Sequence, residues 1–186
     1  GSSEAGIVWV MQDSNGNGLP DDVWYELRGS EWGTDNHSQG YAVTYYRPSY
    51  AGMGVQWRDN RGQRGVISRN TTHTQDYYYP AWEQTTLTLY GSRLNANTEV
   101  DATTGNQVNK AYAWGYADNQ GSDSEAGTSG EAVKNYFKIS EAVTADGEAA
   151  ALQYIDFVKV QSGINHTAGA LGEISTEVLA IEDENM

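Results

Sequence analysis

No stretch of this chain carries a long helical apolar period; instead, short runs rich in β-branched and aromatic residues recur, each closed by Gly, Asn, Asp or Pro. Such punctuation leaves room for strands and turns and for little helix. It predicts strands at residues 6–12, 23–28, 41–47, 55–58, 65–68, 85–90, 111–116, 136–139, 152–161 and 174–181. Their spacing implies an all-β fold, a jelly-roll-like β-sandwich of two antiparallel sheets, in one domain over residues 1–186. The clearest strand runs from Tyr154 to Val160. Alternation sends Tyr154, Asp156, Val158 and Val160 to one face and Ile155, Phe157 and Lys159 to the other, so Asp156 needs a polar partner. In 131–142 a single turn or a strand is expected. Polar loops are expected at 95–109 and 118–130, and an acidic, solvated tail at 182–186.

Composition supports this reading. With 21 Gly, 13 Tyr, six Trp and two Phe, any core must draw on tyrosine and tryptophan. The 11 basic against 25 acidic residues give a formal net charge of −14, a field that repels phosphate backbones. Nucleic acid is therefore excluded as a partner class, whereas cations and neutral ligands fit. There is no cysteine, hence no disulfide and no thiolate metal site. No apolar run reaches the length of a membrane span, so the chain is read as not membrane-spanning.

The segment Asp13-Ser-Asn-Gly-Asn-Gly-Leu-Pro-Asp21 places side-chain oxygens at its first, third and fifth positions and glycine at its sixth. An EF-hand-like loop wraps a hard cation with the same spacing. Asp13, Asn15 and Asn17 would supply side-chain oxygens, Leu19 its carbonyl and Asp21 a carboxylate. The twelfth position is Trp24, so Glu26 or Asp22 would have to close the shell. With Asn at two ligand positions, calcium would bind weakly, at about 10⁻⁴ to 10⁻³ M. The competing reading is a polar loop whose Asn and Asp cap their own backbone. Asp118 and Asp123 leave a second cation site open.

Tyr77-Tyr-Tyr-Pro-Ala-Trp82 is the second unusual segment. In a strand, Tyr77 and Tyr79 would face one way and Tyr78 the other until Pro80 ends the ladder. Trp32, Tyr50, Trp57, Tyr78 and Trp82 all lie in or beside expected loops. Exposed rings of this kind stack on the apolar face of a sugar or flat cofactor while amides bind its polar rim. The alternative use of each ring is core packing. Arg47 and Arg58 stand beside aromatics and suit either ligand carboxylates or surface ion pairs.

Catalysis has thin support. His37, His73 and His166 fall in expected loops without metal-triad spacing, where solvated imidazoles are the ordinary outcome. No nucleophile elbow, phosphate loop or metalloprotease helix is present. Glu26, Asp156 and Glu173 are acids within strand patterns and could serve a glycoside hydrolase only as a facing pair.

Several segments together resemble a domain family: residues 6–31 (GIVWVMQDSNGNGLPDDVWYELRGSE), 41–48 (YAVTYYRP), 75–82 (QDYYYPAW), 114–119 (WGYADN), 155–161 (IDFVKVQ) and 171–178 (LGEISTEV). The resemblance is to an uncharacterised cell-surface domain of Bacteroidetes, often found behind a PKD-like domain, with thrombospondin-type calcium loops. It implies an exported, lipid-anchored β-sandwich at the bacterial outer membrane, working in nutrient capture of glycans or of vitamin B12-type corrinoids. It also implies further strands upstream of Gly1, which would leave residues 6–12 as an edge needing a partner strand or domain. The expected function is thus a non-catalytic glycan-capture module with structural calcium. A corrinoid binder, a glycoside hydrolase or lyase, and a structural adhesion or spacer domain are the alternatives.

Overall fold

A computed structural model describes residues 2–70, 74–125, 133–168 and 172–184. Fourteen short strands follow in chain order: β1 Gly6–Met11, β2 Trp24–Leu27, β3 His37–Tyr46, β4 Val55–Asp59, β5 Arg64–Ile67, β6 Thr86–Leu94, β7 Thr98–Val100, β8 Gln107–Asn109, β9 Ser124–Glu125, β10 Lys134–Asn135, β11 Ala142–Val143, β12 Phe157–Ser162, β13 Thr167–Ala168 and β14 Gly172–Glu173. Eight of them form two antiparallel sheets of four, ordered β11-β2-β1-β12 and β5-β4-β3-β6. The architecture is the expected all-β, two-sheet sandwich. The one helical element described is a 3-10 turn at Ile139–Glu141. No helix among the described residues is long and apolar enough to cross a membrane.

Strand β1 pairs with β2 on one side and with β12 on the other. It is therefore central, which corrects the expectation of an exposed edge at residues 6–12: Val158 and Val160 of β12 supply the pairing partner across from Val10 and Val8. Both faces of this sheet are covered. Ile7 packs with Leu94, Tyr112, Tyr116, Ile164 and Ile174, and Trp9 closes the same cluster. On the opposite face Val8, Val10 and Leu27 meet Ala142, with Leu152, Ile155, Val158 and Val160 packed around them. Burial on both faces explains the near-continuous apolar run from Ile7 to Met11. The Tyr112 and Tyr116 rings meet edge to face at 5.3 Å. Burial pushes the Tyr112 hydroxyl up to about 12, and raises that of Tyr116 as well.

Several expected elements are corrected. Residues 111–116 form no strand and bend at 113–115, where Gly115 adopts φ +87 and lies so close to Gly29 that a Cβ would stand 2.4 Å from its Cα. Residues 136–139 and 174–181 form no strand beyond the 3-10 turn. Pairing in the last long strand starts only at Phe157, so Ile155 escapes alternation and packs on the same face as Val158. The expected loop at 95–109 contains the β7–β8 hairpin, closed by Asp101, which accepts from the backbone N–H of Thr103 and Thr104. Tyr77 to Trp82 is turn rather than strand, with Tyr79 buried under Arg47.

The sheets are joined by polar contacts as well as by the apolar core. Glu26 on β2 points from the inner face, in the same cross-sheet row as Trp9 and Lys159. Its Oε1 lies 2.8 Å from His37 Nε2 on β3, and its Oε2 accepts from the Ser92 hydroxyl on β6 at 2.5 Å. The His37 and Glu26 side chains are 2% and 4% exposed. Farther along, Gln161 Nε2 donates to the Ser92 carbonyl and Leu94 N–H to that of Gly163, which joins the β6 and β12 edges.

Removing one partner of the buried carboxylate leaves it underserved. His37→Leu is expected to cost about 2–4 kcal/mol, read as a lower urea midpoint. Arg28→Ala, which opens a half-exposed pair with Glu141, should cost at most about 1 kcal/mol.

Candidate functional site

Two regions gather polar and aromatic groups: the loop between β1 and β2, and a cleft between the sheets. In the loop, the Asp13 carboxylate collects the turn. Its Oδ1 accepts from the backbone N–H of Gly16 and Asn17, and its Oδ2 from that of Gly18 at 2.7 Å. The Gly18 bond leads in holding the Asp13 carboxyl below its ordinary value, against a smaller opposing effect of burial. Asn15 Oδ1 accepts from Asn17 N–H, and Asn17 Oδ1 from Leu19 N–H. Asp21 meets the side-chain amides of both Asn15 and Asn17 at 3.1–3.3 Å. Gly16 and Gly18 both adopt positive φ, which lets the chain curl around these groups. The whole loop is anchored by Asp156, whose Oδ2 accepts from Asp13 N–H at 2.7 Å. This is the partner that alternation demanded for Asp156.

The donor set fits a hard cation in kind. Asp13 Oδ2 accepts one hydrogen bond and keeps a lone pair, while Asp21 and the two Asn side chains face one another across the loop. Among the described residues no three His, Cys, Asp or Glu side chains gather as a metal-holding group, so the amides would have to take part. Glu26 stands apart from this set. Both its oxygens are committed to His37 and Ser92 inside the sandwich, which removes it as the closing acid; Asp22 stands at the loop instead, accepting from Ser14 N–H and Oγ. Leu19 keeps an exposed side chain. Asp118 accepts from Glu177 N–H and Asp123 from Gly115 N–H, so these acids brace separate segments.

The cleft has a volume of about 850 Å³ and is walled by β3, β4, β5, β6, β12 and the segment after it. Tyr41, Val43 and Tyr45 project from alternate positions of β3 into this space. Trp57 joins them from β4, opposite Tyr45 in the ladder. Its ring lies flat over Gly65, where a Cβ would come within 2.8 Å of the indole. Tyr78 borders the cleft, and its hydroxyl oxygen accepts from Asn70 N–H at 2.9 Å. Asn70, Gln75, Gln161 and Asn165 add amides to the lining, and Asn165 Nδ2 lies 3.4 Å from the Tyr41 hydroxyl. Burial raises the Tyr41 and Tyr45 hydroxyls above their usual value, so both stay protonated donors near neutral pH.

Of the five aromatics expected to bind, the structure brings Trp57 and Tyr78 to the cleft. Trp32 instead packs on the His37 ring at 4.8 Å and shields the Glu26 bridge. Tyr50 and Trp82 are 64% and 72% exposed and do not line the cleft. Arg47 lies over Tyr79 and Arg58 over Tyr46, and among the described residues neither makes the surface ion pair expected of it. Nor is His37 solvated in a loop: it opens β3 and is buried. His166 lines the cleft, and His73 lies outside the described residues, as does the side chain of Glu173. Tyr41 and Tyr45 escaped the sequence reading, although their alternation with Ala42 and Thr44 marks one face of a strand.

Comparison of the chain with protein-family models gives no match, and comparison with curated proteins gives none either. Any functional reading therefore rests on these residues.

The Asp13 shift sets a pH dependence. The folded chain holds this carboxyl ionised more strongly than the unfolded one does, so its stabilisation is present above the unfolded pKa, about 3.9, and is lost as pH falls through the lowered folded value. Asp13→Asn should therefore melt below the parent near pH 7, with the difference closing in the acid limb of a melting-temperature series.

Proposed function

We propose that this protein is a non-catalytic capture module that binds a carbohydrate in the inter-sheet cleft, with calcium bracing the 13–21 loop. The observation that carries the reading is the make-up of the cleft. Trp57, Tyr41, Tyr45 and Tyr78 offer flat apolar rings, and Asn70, Gln75, Gln161 and Asn165 offer both donors and acceptors beside them. Sugars present the matching pair of surfaces, an apolar face of C–H groups and a rim of hydroxyls. The volume suits a ligand of a few rings, and its walls on several sides favour this over the wide, shallow surface a corrinoid needs.

A hydrolase would need two carboxylates facing each other about 5–10 Å apart. Among the described residues no Asp or Glu lines the cleft, and the acids Glu26 and Asp156 are engaged in bracing the fold. These facts support binding over catalysis. A spacer domain would have no use for a cleft of this size. The resemblance to the Bacteroidetes cell-surface family adds the setting: an exported, lipid-anchored module at the outer membrane.

Calcium enters this proposal as a brace. Asp13, Asn15, Asn17 and Asp21, with the Leu19 carbonyl, would hold the ion, while Asp156 ties the same loop to the start of β12. The ion would supply only cross-linking of oxygen ligands, with no part in chemistry.

The reading is tested by screening a glycan array in calcium-containing buffer with the wild type and Trp57→Ala. Binding of at least one glycan, weakened about tenfold or more by Trp57→Ala, is expected. No binding, or binding that Trp57→Ala leaves intact, would count against it. For the loop, 10 mM calcium should stabilise the chain by about 1.4 kcal/mol if its Kd is about 1 mM, and Asp13→Ala should abolish the gain.

A further inference from the structure

The cleft inverts the charge balance of the chain. Acids outnumber bases 25 to 11 overall, yet no Asp or Glu among the described residues lines the cleft, whereas Arg93, Lys159 and His166 do. Arg28, Lys110 and Lys134 each meet a glutamate elsewhere on the molecule. No such ion pair to Arg93 or Lys159 is formed among the described residues. What sets these two apart from other cations without an ion pair, such as Arg47 and Arg58, is that they line the cleft.

Both cations are held with bonding capacity to spare. Arg93 lies 5.5 Å over the Tyr41 ring and donates from Nη1 to Gln63 Oε1 at 3.0 Å. Its Nε is buried without a hydrogen-bond partner. A guanidinium has five N–H donors in a planar fork, matched to two oxygens of an oxyanion. Lys159 stands between two indoles, 4.7 Å from the Trp9 ring and 5.0 Å from that of Trp24. Burial lowers its ammonium below the usual value, partly countered by Glu26 behind it. That carboxylate is already committed to His37 and Ser92 and gives Lys159 no direct bond. Two residues beyond Lys159 on β12, Gln161 joins the β6 and β12 edges through the Ser92 carbonyl.

A cation that lines a cleft with N–H donors to spare can hold an oxyanion through short charge-assisted hydrogen bonds. We propose that the ligand of the cleft is an acidic saccharide, whose carboxylate or sulfate lies against Arg93 and Lys159 while a neighbouring ring stacks on Trp57. This inference rests on the carbohydrate reading above and adds the charge of the ligand. The net charge of −14 opposes the approach of any anion from afar, so selectivity has to come from short contacts inside the cleft.

The test uses isothermal titration calorimetry with trigalacturonate, its neutral methyl ester and a sulfated galactose trisaccharide, on the wild type, Arg93→Gln, Lys159→Gln and Trp57→Ala. Melting temperatures of all variants check that each is folded, and Arg93→Lys keeps the charge while losing the fork. At least one anionic probe should bind about tenfold or more tighter than the ester, and which one does so distinguishes carboxylate from sulfate. Arg93→Gln or Lys159→Gln should remove that preference, Arg93→Lys should keep part of it, and Trp57→Ala should weaken ester and acid together. Equal affinity for acid and ester, both dependent on Trp57, overturns the charge inference and leaves the carbohydrate reading standing. Anion binding indifferent to Trp57, Arg93 and Lys159 lies outside the cleft and overturns both. Failure of both anionic probes to bind also overturns the inference.

Discussion

The Glu26 carboxylate is the bond on which the two sheets depend. It leaves β2, crosses the sandwich and divides its oxygens between His37 on β3 and Ser92 on β6. A carboxylate placed there without partners would cost several kcal/mol, so the fold tolerates only the register that brings an imidazole and a hydroxyl to it. Apolar packing is permissive by comparison, since side chains of similar volume can trade places. Trp32 covers the imidazole and Trp9 flanks the carboxylate in its own sheet, so the bridge is also kept dry.

Pinning the sheets at this bridge and at the Gln161–Ser92 contact leaves them apart elsewhere, and that separation is the cleft. The same row of the inner sheet carries Glu26, Trp9 and Lys159, so the bridge, the indole and the cleft cation form one continuous arrangement. The acids are distributed differently. Asp13, Asp21 and Asp22 crowd the β1–β2 loop, where backbone N–H groups and amides absorb their charge. Structure thus separates an acidic, turn-forming end from a cleft wall that, among the described residues, holds cations and neutral groups.

Much of the fold was legible because its strands are bounded by strong breakers. Strands β1 to β6 begin and end within a few residues of the predicted limits, since turns rich in Gly, Asn, Asp or Pro separate most of them. The last third was less legible. Residues 111–116 carry the composition of a strand, but the close approach of Gly115 to Gly29 is a tertiary contact with no local signature. The two-residue ladders β9, β10, β13 and β14 are too short for alternation to reveal. For the site, the loop at 13–21 was readable from spacing alone, while Glu26 was misassigned because sequence proximity to that loop says nothing about which face a strand residue takes. Trp57 and Tyr78 were recognisable as large rings beside turns, as were Trp32, Tyr50 and Trp82. What separates these sets is position across the sheets. Arg93, Lys159 and Gln161 become site residues only once β6 and β12 meet.

The central claim is that the cleft, and not the exposed rings at the surface, takes the ligand. Six tryptophans give six indole N–H signals in a ¹H–¹⁵N spectrum, and assignment by single Trp→Phe variants makes each a local probe. Titration with a glycan that binds is predicted to shift the Trp57 and Trp9 signals and to leave that of the exposed Trp82 in place. Movement of the Trp82 signal with Trp57 unchanged would contradict the account.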